Sequence, residues 1–327
     1  MKKIFNVAIV GASGLIGRKF IEVLEKRRFP VGEIKLFASE KSRGKKMTAF
    51  GRSIELQTLD ENSFKGTDIV FFSAGKNVAL KYAPIAESQG AFVIDNSSAF
   101  RQNPDTALII PEINGKSLNQ YKNKIISNPN CSTAIALLPL FYLHKRYRLK
   151  RVIYTTYQGI SGSGQRGIND YKRCENGLIA QFFPVNPTKN CIPKIGGFSK
   201  YGYTEEELKM VFETQKILGL TLPVSATCVR VPVLNCHAVS VDAEFEKEIY
   251  DEDVKSILKN AQGVRLADLP CQTLADGKDE ILVGRIKRSF AFNNGLSFYC
   301  VGDNTLKGAS LNAVQIAELL INSGRLC

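Results

Sequence analysis

A glycine-rich turn between an apolar run and an amphipathic segment limits most strongly how this chain can fold. The turn spans residues 11–17 (GASGLIG), directly after the apolar residues 6–10 and at the start of an amphipathic stretch at 16–26. A strand, a tight turn and a helix in this order begin a βαβ unit, whose turn amides and helix N-terminus can hold a phosphate. We predict a dinucleotide-binding turn; a purely structural glycine turn is the alternative.

The first third of the chain repeats this strand and helix rhythm. Further apolar runs lie at residues 33–38, 68–73, 91–95, 107–111 and 124–127, with an amphipathic segment at 78–89. Strands that alternate with helices are typical of a parallel sheet with helices on its faces. The sequence therefore predicts an N-terminal Rossmann-type domain.

The pattern changes after about residue 150, where longer strands with alternating polarity predominate. Strands are predicted at residues 151–158, 224–233, 237–245, 281–285 and 296–301, and helices at 204–218 and 309–322. This pattern favours an α+β domain with a mainly antiparallel sheet. A chain of 327 residues has room for about two domains. We predict a cofactor domain of residues 1–130 plus 304–327, onto which the last helix packs, and a second domain of residues 131–303.

Charge and cysteine content narrow the class of protein. Lys and Arg number 44 against 31 Asp and Glu, a net charge of +13 that could reflect a solvated surface, anionic metabolites or a polyanion. The basic residues are scattered, so we expect no nucleic-acid partner. Eight cysteines without a CxxC pair, and two histidines, indicate reduced thiols, a cytoplasmic location and no metal site. The apolar runs are too short to span a membrane, and no membrane partner is expected.

The loop after the second predicted strand bears on cofactor choice. Ser39, Lys41 and Arg43 favour the 2′-phosphate of NADP, whereas Glu40 favours the ribose hydroxyls of NAD. A solvated charged loop is the alternative for any single one of these residues.

The segment at residues 127–133 (SNPNCST) predicts a nucleophile. Asn130 is a suitable N-cap residue for the apolar helical run that follows, which places Cys131 in the first helical turn. Partial positive charge at that position favours a thiolate, and the same amides can stabilise an oxyanion. The other cysteines are interpreted as packing residues. Of the two histidines, His237 is the better candidate for proton transfer, because His144 stands in a basic segment at a helix end.

Several longer motifs resemble one enzyme family, aspartate-semialdehyde dehydrogenase, nearly from end to end. They are GASGLIG at 11–17, NPNCST at 128–133, YQGISGSGQRG at 157–167, EEELK at 205–209, VSATCVRVPVLNCH at 224–237, VGRIKR at 283–288 and DNTLKGASLNAVQIAE at 303–318. The resemblance implies NADPH-dependent reductive dephosphorylation of L-aspartyl-4-phosphate to L-aspartate-4-semialdehyde, in the biosynthesis of lysine, threonine, methionine and diaminopimelate. The neighbours of the histidine, Cys236 and Ala238, depart from the family pattern.

The resemblance also implies roles for individual residues. Cys131 would form a thioester, Gln158 would orient the acyl group and His237 would be the general acid/base. The implied substrate-binding residues are Arg101 and Lys209 for the phosphate, Glu206 for the amino group, Arg230 for the carboxylate, and Asn130. The implied cofactor-binding residues are Gly11, Ser13, Gly14, Leu15, Ile16, Ser39, Lys41, Ser42, Ser161, Gly162 and Asn304. From the residues alone, Glu206 and Lys209 read as a surface ion pair on a helix that Thr204 and Glu207 cap.

Two alternative functions remain open from the sequence. A reductase of the N-acetyl-γ-glutamyl-phosphate type has the same fold, the same cysteine nucleophile and the same use of a cofactor. Its acetylated substrate, however, lacks the ammonium that Glu206 would bind. A non-catalytic dinucleotide-binding regulator would be expected to lack the nucleophile or the base. The expected partners are small molecules and further copies of the chain, in a homodimer or a homotetramer.

Overall fold

The first compact unit is built on a mainly parallel sheet. The computed structural model describes residues 3–326. Residues Asn130–Gly308 form the second unit, and residues 3–129 and 309–326 form the first unit. Its strands are β1 (Phe5–Val10), β2 (Val31–Phe37), β3 (Lys46–Ala49), β4 (Arg52–Gln57), β5 (Ile69–Phe72), β6 (Phe92–Asp95), β7 (Ala107–Leu108) and β8 (Ile125–Ser127). Within the described residues the order is β3-β4-β2-β1-β5-β6-β8-β7, and the order reverses beside β1, as in doubly wound folds. The Rossmann-type prediction is confirmed.

Two details of this sheet differ from the sequence prediction. The hairpin β3–β4 is antiparallel and was not predicted, because its two-residue turn places Phe50 and Gly51 at positive φ, where Phe is an unusual residue. The strand predicted at 107–111 ends at Leu108, since Pro111 begins a short helix, α3 (Pro111–Asn114). Proline has no N–H to donate, which costs nothing at the first position of a helix. Helices α1 (Leu15–Lys26) and α2 (Lys76–Ser88) flank the sheet, close to their predicted bounds.

The second unit combines a mainly antiparallel sheet with helices. Its helices are α4 (Cys131–Tyr147), α5 (Gly164–Glu175), α6 (Glu205–Leu218), α7 (Asp251–Lys259) and α8 (Gln272–Ala275). Its strands are β9 (Leu149–Gln158), β10 (Val224–Arg230), β11 (His237–Phe245), β12 (Val264–Leu266), β13 (Ile281–Arg288) and β14 (Gly295–Gly302), in the order β10-β9-β11-β14-β13-β12. The outermost pairs, β10–β9 and β12–β13, are parallel and the inner pairs are antiparallel. The predicted α+β class is confirmed.

Helix α4 lies at the centre of the second unit. It contacts β9, β11, β13 and β14 on the sheet side and α6 and α7 on the other. Its apolar side chains are buried nearly all round, as expected for a helix enclosed by other elements. The strand predicted at 224–233 ends at Arg230, because Pro232 cannot donate a ladder hydrogen bond. Arg230 therefore stands at a strand end.

The last helix, α9 (Leu311–Asn322), belongs to the first unit. It contacts α1, α3 and β6. Asn312 Nδ2 donates to Asn128 Oδ1 at 2.7 Å and to the Ile109 carbonyl at 3.0 Å, which ties the helix to the ends of the central strands. Among the described residues, no helix combines the length and the apolar character that a membrane crossing requires.

Candidate active site

Cys131 is the first residue of α4, and Asn130 caps that helix. The Asn130 Oδ1 accepts hydrogen bonds from the amides of Ser132 at 2.9 Å and Thr133 at 3.2 Å, so the predicted N-cap is confirmed. These bonds satisfy two of the amides that a helix start leaves open. Cys131 is partly buried, at the positive end of a long helix, where a thiolate is stabilised.

Two glutamates of α6 bind the capping residue Asn130, one at its backbone amide and the other at its side chain. The Glu213 Oε2 accepts from the Asn130 backbone amide at 2.6 Å, and the Glu206 Oε1 accepts from the Asn130 side-chain Nδ2 at 2.8 Å. The side chains of residues seven apart on a helix share one face, which is how one helix supplies both carboxylates. Glu213 is completely buried. Its contact with Asn130 is not predicted from the sequence.

Glu206 joins several of the predicted site residues. Its Oε1 also accepts from Gln158 Nε2 at 3.1 Å, and its Oε2 accepts from Lys209 Nζ at 3.0 Å. Burial alone would raise the pKa of this carboxyl, but the Lys209 charge and the hydrogen bonds from Asn130 and Gln158 outweigh burial and lower the pKa to about 2. Glu206 is therefore an ionised, buried group rather than half of an exposed surface pair.

Three neighbouring strands bring Gln158, Arg230 and His237 side by side. Gln158 ends β9 and is paired in register with Arg230 of β10 on one side and with His237 of β11 on the other. Strand order and register therefore place an amide, a guanidinium and an imidazole in one row. All three side chains are buried. Together with Cys131, Asn130, Glu206 and Lys209, they form the candidate site of the second unit.

Arg230 is a buried cation with a fixed orientation. Its Nη1 donates to the Gly159 carbonyl at 2.6 Å. Burial lowers the pKa of the guanidinium, while the negative charges of Glu206 and of an ionised Cys131 raise it, so Arg230 remains a cation. It borders a cavity of about 450 Å³ that Ser163, Phe183 and Lys194 also line. A buried guanidinium beside an open volume can bind a carboxylate through two hydrogen bonds.

His237 is fully buried, and its two ring nitrogens differ. The Nδ1 accepts a hydrogen bond from the Gly159 amide at 3.0 Å, and no described protein group bonds to Nε2. Burial and the neighbouring Arg230 charge lower the pKa of the imidazole to about 3, against smaller opposing effects of the Cys236 carbonyl and Glu206. The imidazole is therefore neutral near pH 7.

The loop after β9 packs tightly against these side chains. A Cβ on Gly162 would lie 2.7 Å from His237 Nε2 and 2.8 Å from Arg230 Nη1, so only glycine fits there. In the same loop Ser161 Oγ accepts from Asn304 Nδ2 at 3.0 Å. The structure thus brings Ser161, Gly162 and Asn304 into one neighbourhood of the second unit. Gly308 lies against the candidate nucleophile, since a Cβ at residue 308 would be 2.9 Å from the Cβ of Cys131.

The glycine-rich turn of the first unit has the geometry that a phosphate requires. Gly11 has φ of +88°, and a Cβ there would lie 2.9 Å from the Ser73 carbonyl carbon, so the position demands glycine. Gly14 is the N-cap residue of α1, whose first residue is Leu15. The backbone of this turn, with the helix N-terminus behind it, can accommodate a pyrophosphate. The predicted residues of this turn are Gly11, Ser13, Gly14, Leu15 and Ile16.

Two cavities of the first unit adjoin this turn. One of about 310 Å³ is lined by Gly11, Ser39, Glu40 and others, and one of about 600 Å³ by Ser13, Arg18, Ser42, Lys45 and others. Lys41 lies in the short 3₁₀ turn Glu40–Ser42 and is exposed. Cavities at the carboxyl ends of β1 and β2, next to a glycine turn, fit a dinucleotide.

Arg101 also belongs to the first unit. It follows β6, is 94% buried (6% exposed) and donates from Nη2 to the Asn96 carbonyl at 2.7 Å. Asp95, at the end of β6, accepts from the Ser97 amide at 2.9 Å and from its hydroxyl at 2.7 Å, which shapes the same loop. Arg101 is thus held in a structured loop rather than on a flexible surface.

The chain matches known proteins over nearly all of its length. The family description "Semialdehyde dehydrogenase, NAD binding domain" matches residues 6–121, and "Semialdehyde dehydrogenase, dimerisation domain" matches residues 137–307. The chain is 46% identical to aspartate-semialdehyde dehydrogenase of Aquifex aeolicus, over 98% of this chain and 99% of that protein. It is 42% identical to aspartate-semialdehyde dehydrogenase 2 of Vibrio cholerae, with the same coverage. The chain belongs to the aspartate-semialdehyde dehydrogenase family.

Solved structures of the family agree with this fold. Aspartate semialdehyde dehydrogenase II of Vibrio cholerae, crystallised with ASA, superimposes with a TM-score of 0.94 at 41% identity and covers 98% of this chain and 99% of its own. Members of the family are oxidoreductases of amino-acid biosynthesis with an NAD(P)-binding Rossmann-type domain. Cys131 lies between the two matched segments, so the family match does not itself address the nucleophile.

One group outside this site has the composition of a metal site. Potential ligand atoms of Cys236, Asp276 and Asp303 lie within 4.8 Å of one another, the one such group found among the residues described. The Asp303 carboxylate already accepts from the Gly277 amide at 3.0 Å and from the Thr305 amide at 2.8 Å. These donors account for the conformation of Asp303 without an ion. The expectation of no metal site stays a prediction.

Proposed function

We propose that this family member catalyses the NADPH-dependent reductive dephosphorylation of L-aspartyl-4-phosphate to L-aspartate-4-semialdehyde, in the biosynthesis of lysine, threonine and methionine. The observation that carries the proposal is the shared contact of Glu206, whose carboxylate bonds both Asn130, next to Cys131, and Gln158. It links a candidate nucleophile to a group able to orient an acyl intermediate. Covalent catalysis of acyl transfer needs such an arrangement.

The proposed reaction begins with attack of the Cys131 thiolate on the acyl carbon of the substrate. A C–S bond forms, the C–O bond to phosphate breaks, and phosphate leaves, so that the acyl group is held as a thioester. NADPH, when bound by the first unit, would supply the hydride for reduction of the thioester. Gln158 orients the acyl group, and His237 acts as the general acid/base at the tetrahedral intermediate. Expulsion of the Cys131 thiolate from that intermediate then releases the aldehyde.

Substrate recognition follows from the charges of the site. Arg230, with its buried guanidinium, binds the α-carboxylate, and the ionised Glu206 binds the ammonium group. Lys209, paired with Glu206, and Arg101 bind the phosphate. An N-acetylated glutamyl phosphate would bring an uncharged amide to Glu206 in place of an ammonium, and a hydrogen bond from an uncharged donor is weaker than one from a cation. The aspartyl substrate is therefore favoured.

NADP is proposed as the cofactor, held by the first unit. Its glycine turn offers amides to the pyrophosphate, and Ser39 and Ser42, with Lys45, line the adjoining cavities where a 2′-phosphate could bind. Glu40, the residue that favours NAD, lies 3.8 Å from the Arg43 guanidinium, which partly offsets its charge. Residues 1–130 plus 304–327 are proposed as the cofactor domain, and 131–303 as the catalytic and dimerisation domain.

The assembly and location are proposed as well. The match of residues 137–307 to a dimerisation domain supports a homodimer or homotetramer, which light scattering coupled to gel filtration would measure. The cysteines within residues 3–326 are free thiols, which supports a reducing compartment, the cytoplasm. Small molecules, not nucleic acid or membrane, are the proposed partners.

The test is the reverse reaction: reduction of NADP⁺ by L-aspartate-4-semialdehyde in the presence of inorganic phosphate. Folded protein should show phosphate-dependent formation of NADPH, and less activity with NAD⁺ or with N-acetylglutamate-5-semialdehyde. Equal rates with both cofactors would refute the NADP assignment alone. No reduction of either cofactor by folded protein would refute the reductase.

A further inference from the structure

The segment at residues 178–185 takes its conformation from one carboxylate. It follows α5 and lies outside the helices and strands. The Asp170 Oδ1 accepts a hydrogen bond from the Gln181 amide at 2.8 Å. The Asp170 Oδ2 accepts from the amides of Phe182 at 2.9 Å and Phe183 at 3.0 Å. Successive N–H groups converge on one anion only where the backbone curves around it, so these bonds specify the path of the segment.

The charge of Asp170 makes this anchor strong. The residue lies on α5 and is only 5% exposed. Burial raises the pKa of the Asp170 carboxyl, but the amides of residues 181–183 and the Arg173 charge outweigh burial and hold the pKa below its ordinary value. A buried carboxylate without donors is costly, and hydrogen bonds to an ionised acceptor are stronger than neutral ones. One conformation of the segment is therefore strongly favoured.

Two aromatic rings of this segment are fixed as well. The rings of Phe182 and Phe183 meet edge to face, with their centroids 5.1 Å apart. A Cβ on Gly167 would lie 3.3 Å from Phe183 Cζ, which places the Phe183 ring against the first half of α5. Further along the same helix, Arg173 Nε donates to the Ile179 carbonyl at 2.9 Å. A single helix thus holds both the backbone and the rings of the segment.

Residues 181–184 of this segment line the cavity of about 450 Å³ beside Arg230, and we call them the 181–184 wall. Residues 194–196 also line this cavity. They follow Ile192, whose amide donates to the Arg230 carbonyl at 2.8 Å and whose carbonyl accepts from the Arg230 amide at 2.9 Å. Paired backbone therefore positions residues 194–196 relative to Arg230, whereas Asp170 positions the 181–184 wall.

We propose that Asp170 is a positioning residue for substrate recognition, which shapes the 181–184 wall and so fixes the space in which the α-carboxylate reaches Arg230. This inference rests on the proposed function, since it takes L-aspartate-4-semialdehyde as the molecule that enters the cavity. Groups that must be ordered on binding cost affinity, so a wall that is already ordered raises affinity. Because Asp170 acts through the wall, it should affect the binding of this substrate and not the reactivity of Cys131.

The first experiment measures the reverse reaction of Asp170→Asn. This variant replaces an acceptor oxygen with an N–H donor that opposes the amides of the wall. We expect the KM for L-aspartate-4-semialdehyde to rise about tenfold. The kcat, the KM for inorganic phosphate and the rate of Cys131 alkylation by iodoacetamide should be unchanged. An unchanged KM for the aldehyde, or an equal rise in both KM values, would overturn the proposal.

Two further variants complete this experiment. Phe183→Ala alters the wall and leaves the Asp170 carboxylate in place, so it tests the wall even if Asp170→Asn does not fold. It should raise the same KM and no other kinetic constant, and an unchanged KM would overturn the proposal. Glu175→Gln removes an exposed carboxylate of the same helix and is the matched control, with the kinetics of the natural protein expected.

The second experiment measures hydrogen exchange of the amides of residues 181–183. In the natural protein these amides are bound to a buried carboxylate and should exchange slowly. In Asp170→Asn they should exchange about tenfold faster or more, whereas Glu175→Gln should leave them protected. Equal protection in Asp170→Asn and in the natural protein would show that the wall does not depend on Asp170.

The two proposals fail separately. Hydrogen exchange needs no turnover, so it tests the hold of Asp170 on the wall whether or not the reductase assay succeeds. Folded protein that reduces neither cofactor, with a wall that loosens in Asp170→Asn, would refute the proposed function. An active reductase whose KM for L-aspartate-4-semialdehyde is the same in Asp170→Asn, Phe183→Ala and the natural protein would refute the role of Asp170 alone.

Discussion

Glu213 accepts a hydrogen bond at 2.6 Å from the backbone amide of Asn130, so a fully buried carboxylate of α6 fixes the residue that caps the helix of Cys131. Glu206, two turns earlier on the same helix, holds the Asn130 side chain at 2.8 Å. One helix therefore controls both the backbone and the side chain of the residue preceding the nucleophile. Glu213 acts as a positioning residue, because it binds the backbone amide of Asn130, the neighbour of Cys131.

Replacement of Glu213 should disturb Cys131 in a graded way. Glu213→Ala leaves the Asn130 amide without its acceptor and should lower the free energy of unfolding by about 1–3 kcal/mol, with slower alkylation of Cys131. Glu213→Gln keeps an acceptor oxygen and should recover most of the alkylation rate. Urea denaturation and iodoacetamide kinetics measure both effects. The exposed Glu205→Ala is the control on the same helix, and a Glu213→Ala protein that matches it would contradict the role.

Removal of the nucleophile should separate chemistry from binding. Cys131→Ser exchanges a thiolate for a poorly nucleophilic hydroxyl, so turnover in the reverse reaction should fall below detection. Binding of NADP⁺, followed by isothermal titration calorimetry, should be nearly unchanged. Cys174→Ser, at a buried thiol of α5, is the matched control and should remain active. Substantial turnover by Cys131→Ser would exclude the thioester route.

Lys209 should matter for the phosphate. Lys209→Ala removes a cation whose Nζ lies 3.0 Å from Glu206, and a hydrogen bond to a charged group contributes about 1.5–3 kcal/mol. The KM for inorganic phosphate in the reverse reaction should therefore rise about tenfold or more. The exposed Lys172→Ala on α5 controls for a general loss of positive charge. If both variants had the same phosphate KM, the pair would be structural only.

Gly162 should tolerate no side chain. In Gly162→Ala the new methyl group would press on His237 and Arg230, at 2.7 and 2.8 Å, and displace two groups of the site at once. We expect a fall in kcat of about 10²-fold, because small displacements of positioned groups are costly. Gly197→Ala is the control, since a Cβ there has no neighbour closer than 3.7 Å. An unimpaired Gly162→Ala enzyme would mean that His237 and Arg230 move freely.

The ionised Glu206 should make folding stability depend on acid. Its folded pKa of about 2 is below the ordinary value of 4.5, so the unfolded chain binds more protons between these values. The stabilisation is complete above about pH 4.5 and is lost as pH falls toward 2. Unfolding of the natural protein and of Glu206→Gln, compared over this range, should show a difference that narrows as pH falls. A difference independent of pH would argue that Glu206 is not ionised.

The sequence predicted the local features well where a short motif suffices. The turn at Gly11, the cap at Asn130 and the strand His237–Phe245 all follow from neighbouring residues, because capping, positive φ and alternation are local properties. The hairpin β3–β4 escaped prediction, since its turn places Phe50 in an uncommon conformation. The strands predicted at 107–111 and 224–233 extend too far along the chain. The apolar pattern continues up to Pro111 and past Pro232, whereas the observed strands end at Leu108 and Arg230.

Residue types and family motifs singled out Cys131, Gln158, Arg230 and His237 from the sequence alone, since a nucleophile and its supporting groups carry characteristic neighbours. The sequence contains one weak indication of the role of Glu213, which is its position seven residues after Glu206 on the same helix. Whether such a residue is a surface charge or a buried anchor depends on what packs against that helix face. Only the contact between α6 and the start of α4 decided it.

By itself, then, the sequence determined the two-domain α/β character, the glycine turn and the capped cysteine, because each depends on residues adjacent in the chain. The tertiary structure alone decided that Glu206 is ionised and buried, that Gln158 lies between Arg230 and His237, and that His237 is buried and neutral near pH 7. Those properties come from strand register, helix packing and desolvation, which join residues far apart in sequence, and no local pattern of residues encodes them.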